Sequence, residues 1–155
     1  MQASRWINRG IVTALSLAAC RADLTPPSDP TPEVPGPVVS VSQERFSWSQ
    51  DAVISVTLTN PDGAPVYPMC RYYRLQRYRD GWRTSASPIV LTGSIACPTA
   101  RLAPGDSVRY ALPLTNDYIP FNGWYRIVLD VYRDSAMTSQ WEERSRASPA
   151  FLVTP

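Results

Sequence analysis

The chain has 155 residues, 44% of them hydrophobic and 18% charged, with 16 prolines, 3 cysteines and no histidine. Its 15 basic residues are all arginine and face 13 acids, a formal charge of +2 that gives no bulk attraction to nucleic acid. Without histidine there is no Ser-His-Asp or Cys-His arrangement, and the commonest general base and metal ligand are missing.

In chain order, Arg5 and Arg9 precede a mostly apolar stretch over residues 11–19, the pattern of a secretory signal. The stretch is too short to span a bilayer, which takes about 20 apolar residues. It ends in Leu17-Ala18-Ala19-Cys20, which resembles the lipobox of bacterial lipoproteins. In that family a small residue precedes a cysteine that is lipidated and becomes the mature N-terminus. The resemblance implies a signal peptide over 1–19, acyl chains such as palmitate on Cys20, and an exported protein anchored to the bacterial membrane. Arg21 stands where an aspartate favours inner-membrane retention, so the outer membrane or cell surface is expected. A plain secretory signal with a cysteine near its cleavage site is the competing reading.

Residues 20–38 form the lipidated cysteine and a tether, with prolines at 26, 27, 30, 32, 35 and 37. Such a segment buries too little apolar surface to offset its ordering entropy and favours extended polyproline II. Residues 39–155 then make one compact domain.

Within that domain, period-two alternation marks strands. A first strand lies in 37–42. In 52–60, Ile54, Val56 and Leu58 face a core. Residues 70–87 read as a hairpin around Asp80-Gly81, with Arg79 opposite Trp82, so that Leu75 and Trp82 share a face and Trp82 plugs the core. Val108, Tyr110, Leu112 and Leu114 face inward from 106–114. Residues 123–132 read as a central strand with Tyr125, Ile127, Leu129 and Val131 on its inner face, and 149–153 closes the series. Glu142 and Glu143 fall in a solvated loop before it. With Cys20 assigned to lipid, Cys70 and Cys97 remain as an even pair in an exported chain, which predicts a disulfide. Closing that loop would stabilise the domain by roughly 3–4 kcal/mol.

About seven turn-separated strands predict a single all-β, antiparallel sandwich. "NGWYRI" (122–127) looks like the start of the strand that carries the tyrosine corner in immunoglobulin-like domains. Together with "YYRLQRYRDGW" and "LAPGDSVRYALPL", it is similar to the bacterial immunoglobulin-like domain of exported lipoproteins. The resemblance implies that the Tyr125 hydroxyl returns to backbone just upstream.

Two surfaces are candidates for binding. On the hairpin, Tyr72, Arg74 and Tyr78 share a face with Arg83 opposite Tyr78, a surface for glycans, polyanions or acidic patches. The competing reading has the arginines lying along the sheet and pairing with acids. In the loop 115–124, Tyr118 and Phe121 either form an exposed contact or fold back to cap the sandwich. No catalytic residue, metal site or cofactor is expected. The function read from the sequence is a membrane-anchored, non-catalytic binding or structural module with a protein or glycan partner in the envelope. The alternatives are a protease inhibitor acting through 115–123 and a carbohydrate- or polyanion-binding module using the hairpin face.

Overall fold

A computed structural model describes residues 25–28, 36–61, 63–85, 89–90, 101–115 and 117–155. Side chains at 70–72 and 89–90 lie outside that description. The strands are β1 (Val38–Val41), β2 (Arg45–Ser47), β3 (Val53–Thr59), β4 (Tyr67–Tyr78), β5 (Trp82–Thr84), β6 (Ile89–Val90), β7 (Ser107–Pro113), β8 (Gly123–Tyr132) and β9 (Phe151–Thr154). A 3-10 turn at Arg144–Arg146 interrupts the run between β8 and β9.

These strands form two sheets, one ordered β1-β3-β7 and the other β2-β9-β8-β4-β5 with β6 also on β4. The described residues are therefore nearly all β, in two sheets stacked as a sandwich. Alternation decides which side chains fill it. Val39, Ile54, Val56, Leu58, Tyr110 and Leu112 come from the smaller sheet. Tyr73, Leu75, Tyr125, Ile127, Leu129 and Val131 meet them from the larger. Burying a side chain of this size stabilises the fold by about 1.5–3 kcal/mol. Phe46 and Phe151 pack edge to face at 5.4 Å, sealing one side of the core. β8 is central, as its double-sided apolar pattern predicts, and Val128 on its outer face is also fully buried.

Three expectations are corrected. The sandwich is not wholly antiparallel: β2 runs parallel to β9, with Phe46 opposite Val153. Between β1 and β2 the chain changes sheet, and β2 is three residues long, too short for an alternation signal. The hairpin register also differs by one residue. Tyr78 stands opposite Trp82 and Arg77 opposite Arg83. The cause is the turn: Asp80 (φ 51°) and Gly81 (φ 127°) are both left-handed, and Arg79 N–H donates to the Gly81 carbonyl at 2.9 Å. Three residues, not two, therefore connect the paired positions. Because side chains alternate, a slip of one turns every residue of β5 over. Trp82 accordingly leaves the Leu75 face and packs on Tyr78 instead, with ring centroids 5.3 Å apart.

The third correction concerns residues 133–149. Gln140 bridges to Tyr132 and Ala147 to Val128, so this segment lines the stretch of β8 that β9 leaves open. Ser148 exchanges bonds with Ile127, its N–H donating to the carbonyl and its hydroxyl accepting from the amide. Glu142 is exposed, as a solvated loop requires, but Glu143 is drawn onto the sheet by arginines. At the start of the domain, Gly36 and Pro37 are buried, and a Cβ at Gly36 would lie 2.9 Å from the Trp141 ring. Packing thus begins a few residues before β1.

Candidate interaction surface

The outer face of the larger sheet gathers charge. Arg126, on β8, donates from Nε to Gln76 Oε1 at 2.7 Å and from Nη2 to Glu143 Oε1 at 2.9 Å. Its guanidinium also covers the Trp82 ring at 4.6 Å. Gln76 Nε2 reaches the same carboxylate at 3.1 Å. Arg74 lies 3.5 Å from Glu143 and 3.7 Å from Asp130. Asp130 in turn accepts from Arg146 Nη1 at 3.1 Å.

Arg146 is the most enclosed member. Its guanidinium donates to the carbonyls of Leu129 and Trp141, each at 2.9 Å, and to Gln140 Oε1 at 3.1 Å. Burial, and then the neighbouring Arg74 charge, lower its pKa, while Asp130 and Glu143 oppose that shift. Polar groups satisfied in this way hold two pieces of backbone together. Their partners are already inside the protein, so this face is largely closed.

The hairpin candidates therefore separate. Arg74 is tied into the network, and Tyr78 remains 42% exposed on the same face beside Trp82. Arg83 is exposed but on the opposite face, across from Arg77, because of the register shift. The Tyr72 side chain lies outside the described residues, as do Cys20 and Cys97 and the Cys70 side chain.

A second cluster forms at one end of the sandwich, where β4 and β8 meet the loop 115–122. Ile119 is fully buried and Tyr118 packs against the core, while Phe121 stays 55% exposed. The loop thus does both things expected of it, with residues two apart going opposite ways. Amides of Tyr118 and Ile119 donate to the Thr115 carbonyl, which closes a tight turn. The Tyr125 hydroxyl donates to the Phe121 carbonyl at 2.6 Å, and Arg77 Nη2 donates to the Asn122 carbonyl at the same distance. Gly123 follows at φ 137°, a left-handed conformation that disfavours side chains, with Arg77 Nε 3.4 Å from the site of a Cβ.

Two guanidiniums frame the exposed ring, Arg77 at 4.9 Å and Arg79 at 5.6 Å from its centroid. Arg77 also approaches the Tyr125 ring at 6.0 Å. Burial raises the Tyr125 pKa, and the Arg77 charge and the bond to Phe121 oppose it. Sequence reasoning chose Phe121 and, separately, the hairpin arginines Arg77 and Arg79, but did not bring them together. The available signal was Arg77, a charge at an inward position of an alternating strand and opposite Tyr125. Such a residue must lie past the apolar core to keep its head solvated.

Among the described residues, no group of three or more His, Cys, Asp or Glu side chains converges as a metal site, and no helix is long and apolar enough to cross a membrane. No protein-family profile matches the chain, and no curated protein matches it. Solved structures similar to it include the alkylpurine DNA glycosylase AlkC of Pseudomonas fluorescens bound to DNA containing an abasic-site analogue, at 12% identity and a TM-score of 0.42. That likeness covers 77% of this chain and 31% of the glycosylase. Another is the CARDB domain of a Pyrococcus furiosus protein in complex with di-metal ions, at 18% identity and a TM-score of 0.40, covering 82% of this chain and 95% of that domain.

Proposed function

We propose that the chain is an exported lipoprotein, anchored through Cys20, whose immunoglobulin-like domain acts by binding a protein partner in the cell envelope and performs no catalysis. The observation that carries the binding role is Phe121, half exposed, framed by Arg77 and Arg79, and held from behind by the Tyr125 hydroxyl. A ring fixed before binding loses little entropy on contact, and aromatic and arginine side chains dominate binding hot spots. The Tyr125–Phe121 bond has the form of the tyrosine corner and supports the immunoglobulin-like reading. The Leu17-Ala18-Ala19-Cys20 motif supports the anchor.

A second reading is favoured by the same rigid loop: inhibition of a protease through residues 115–123. Polyanion binding by the Arg74 face has less support, since that arginine already has two carboxylate partners.

Two measurements test this function. Cys20→Ala should abolish acyl labelling and release the protein from the membrane fraction; unchanged partition refutes the anchor. A photo-crosslinking residue at 121 should capture one defined envelope protein, and Arg79→Glu should cut that yield at least about tenfold, the loss of a hot-spot residue. Equal capture from a crosslinker at exposed Val38 refutes the surface. Slowing of one protease in a panel, lost in Phe121→Ala, selects the inhibitor reading.

A further inference from the structure

Residues 25–28, within the proline-rich tether, lie against the domain rather than apart from it. Pro26 and Pro27 line a cleft of about 310 Å3 together with Glu44, Trp124, Pro149 and Ala150. Its far wall is built on fixed elements. Trp124 opens β8, pairs with Leu152 of β9, and points away from the fully buried Tyr125. Glu44 is held beside it, its carbonyl accepting the Leu152 N–H at 2.8 Å. Pro149 and Ala150 lead into β9. Pro27 is half-buried, and Pro26 and Ser28 are exposed.

Trp124 gives this cleft one aromatic wall, beside Glu44, Pro149 and Ala150. A Pro-Pro step is preset in the extended helix, so ordering it costs little, and its rings have no amide hydrogen to desolvate. Aromatic-lined grooves take such segments as ligands. We propose that the Trp124 cleft is a polyproline II-binding site whose resident ligand is Pro26-Pro27 of the same chain, strapping the tether to the domain.

The tether is then held at two points, at Trp124 and again where Gly36 packs under Trp141. The consequence for reach rests on the Cys20 anchor proposed above. With the strap closed, the chain from Cys20 to Pro26 spans at most about 20 Å, at roughly 3.1 Å per residue. With it open, the chain from Cys20 to Gly36 spans about 50 Å by the same measure. Closing the strap brings the Trp124 end of the sandwich down to the lipid surface, and opening it lets the domain extend.

Tryptophan-selective 15N labelling of the intact chain tests the strap without reference to lipid, so failure of the Cys20 anchor leaves the test intact. Pro26→Ala/Pro27→Ala should shift the Trp124 indole resonance and leave those of Trp48 and Trp141 in place, which also reports that the variant is folded. A synthetic peptide of residues 24–32, LTPPSDPTP, should return the Trp124 resonance to its original position. It should bind the double variant at least about tenfold more tightly than the unaltered chain, in which Pro26-Pro27 stands at the cleft wall and competes at high effective concentration. An unmoved Trp124 resonance in the variant overturns the strap. Equal peptide binding to both chains overturns it too, by showing that the cleft stands open, and so does a double variant that ignores the peptide.

Discussion

Tyr73 is 3% exposed, and its hydroxyl has no hydrogen-bond partner among the described residues. A buried, unpaired hydroxyl costs about 1–3 kcal/mol, so Tyr73→Phe should stabilise the domain by about 1 kcal/mol, read by urea unfolding; a loss of stability would show that the hydroxyl has a partner. The same burial, aided by nearby Tyr118, raises the Tyr73 pKa well above the tyrosine range, and burial pushes Tyr110 up to about 12 from 10.0. A raised folded pKa means that the unfolded chain loses its proton first. The associated stability is complete below about pH 10 and falls as pH rises from there through the folded value. Unfolding should therefore be alkali-sensitive between about pH 10 and 12, and Tyr73→Phe should blunt that slope; an unchanged slope in Tyr73→Phe would contradict it. The sequence placed Tyr110 and Tyr125 in the core by alternation. Nothing in it marked Tyr73 as the ring whose hydroxyl goes unpaired, because that depends on what the opposite sheet brings near.

Among elements, the segment 133–149 is the one whose role depends most on a single side chain. Arg146 joins its backbone to that of β8 through Leu129, Trp141, Gln140 and Asp130. Arg146→Ala strands the Leu129 and Trp141 carbonyls and leaves Asp130 with Arg74 and the Gln140 amide, and should cost about 3–5 kcal/mol, the range for breaking a buried charged pair. Arg146→Lys should recover only part of this, since a single ammonium cannot reproduce the guanidinium fork. Thermal unfolding of the two variants checks both expectations, and a near-neutral Arg146→Ala would show that the segment is held without it. The segment has no periodic pattern, so its docking was illegible in advance, whereas β3, β7 and β8 were read with the correct faces inward. The hairpin shows the intermediate case. Its strands and its Asp80-Gly81 turn were legible, but the turn took one extra residue, which moved Trp82 and Arg83 to the other faces.

For the molecule as a whole, the intact mass of protein purified from its native membrane should show a chain beginning at Cys20 with acyl mass added, and with Cys70 and Cys97 resistant to alkylation until reduced. Free thiols at both cysteines would remove the expected disulfide, and a chain beginning elsewhere would remove the anchor. By itself, the sequence determined the elements whose pattern is local: the apolar stretch over 11–19 with the cysteine after it, the proline-rich run, and the strands whose alternating side chains divide a core from solvent. Only the tertiary structure decided that β2 joins β9 in parallel, that the outer-face arginines are consumed by Asp130 and Glu143, that Phe121 stands outward between Arg77 and Arg79, and that Pro26 and Pro27 line one cleft with Trp124. The physical reason is the range of the interactions. Alternation is set by the pleat within one strand, whereas charge pairing and the exposure of a loop residue depend on side chains from strands far apart in the chain, which meet only when the sheets close.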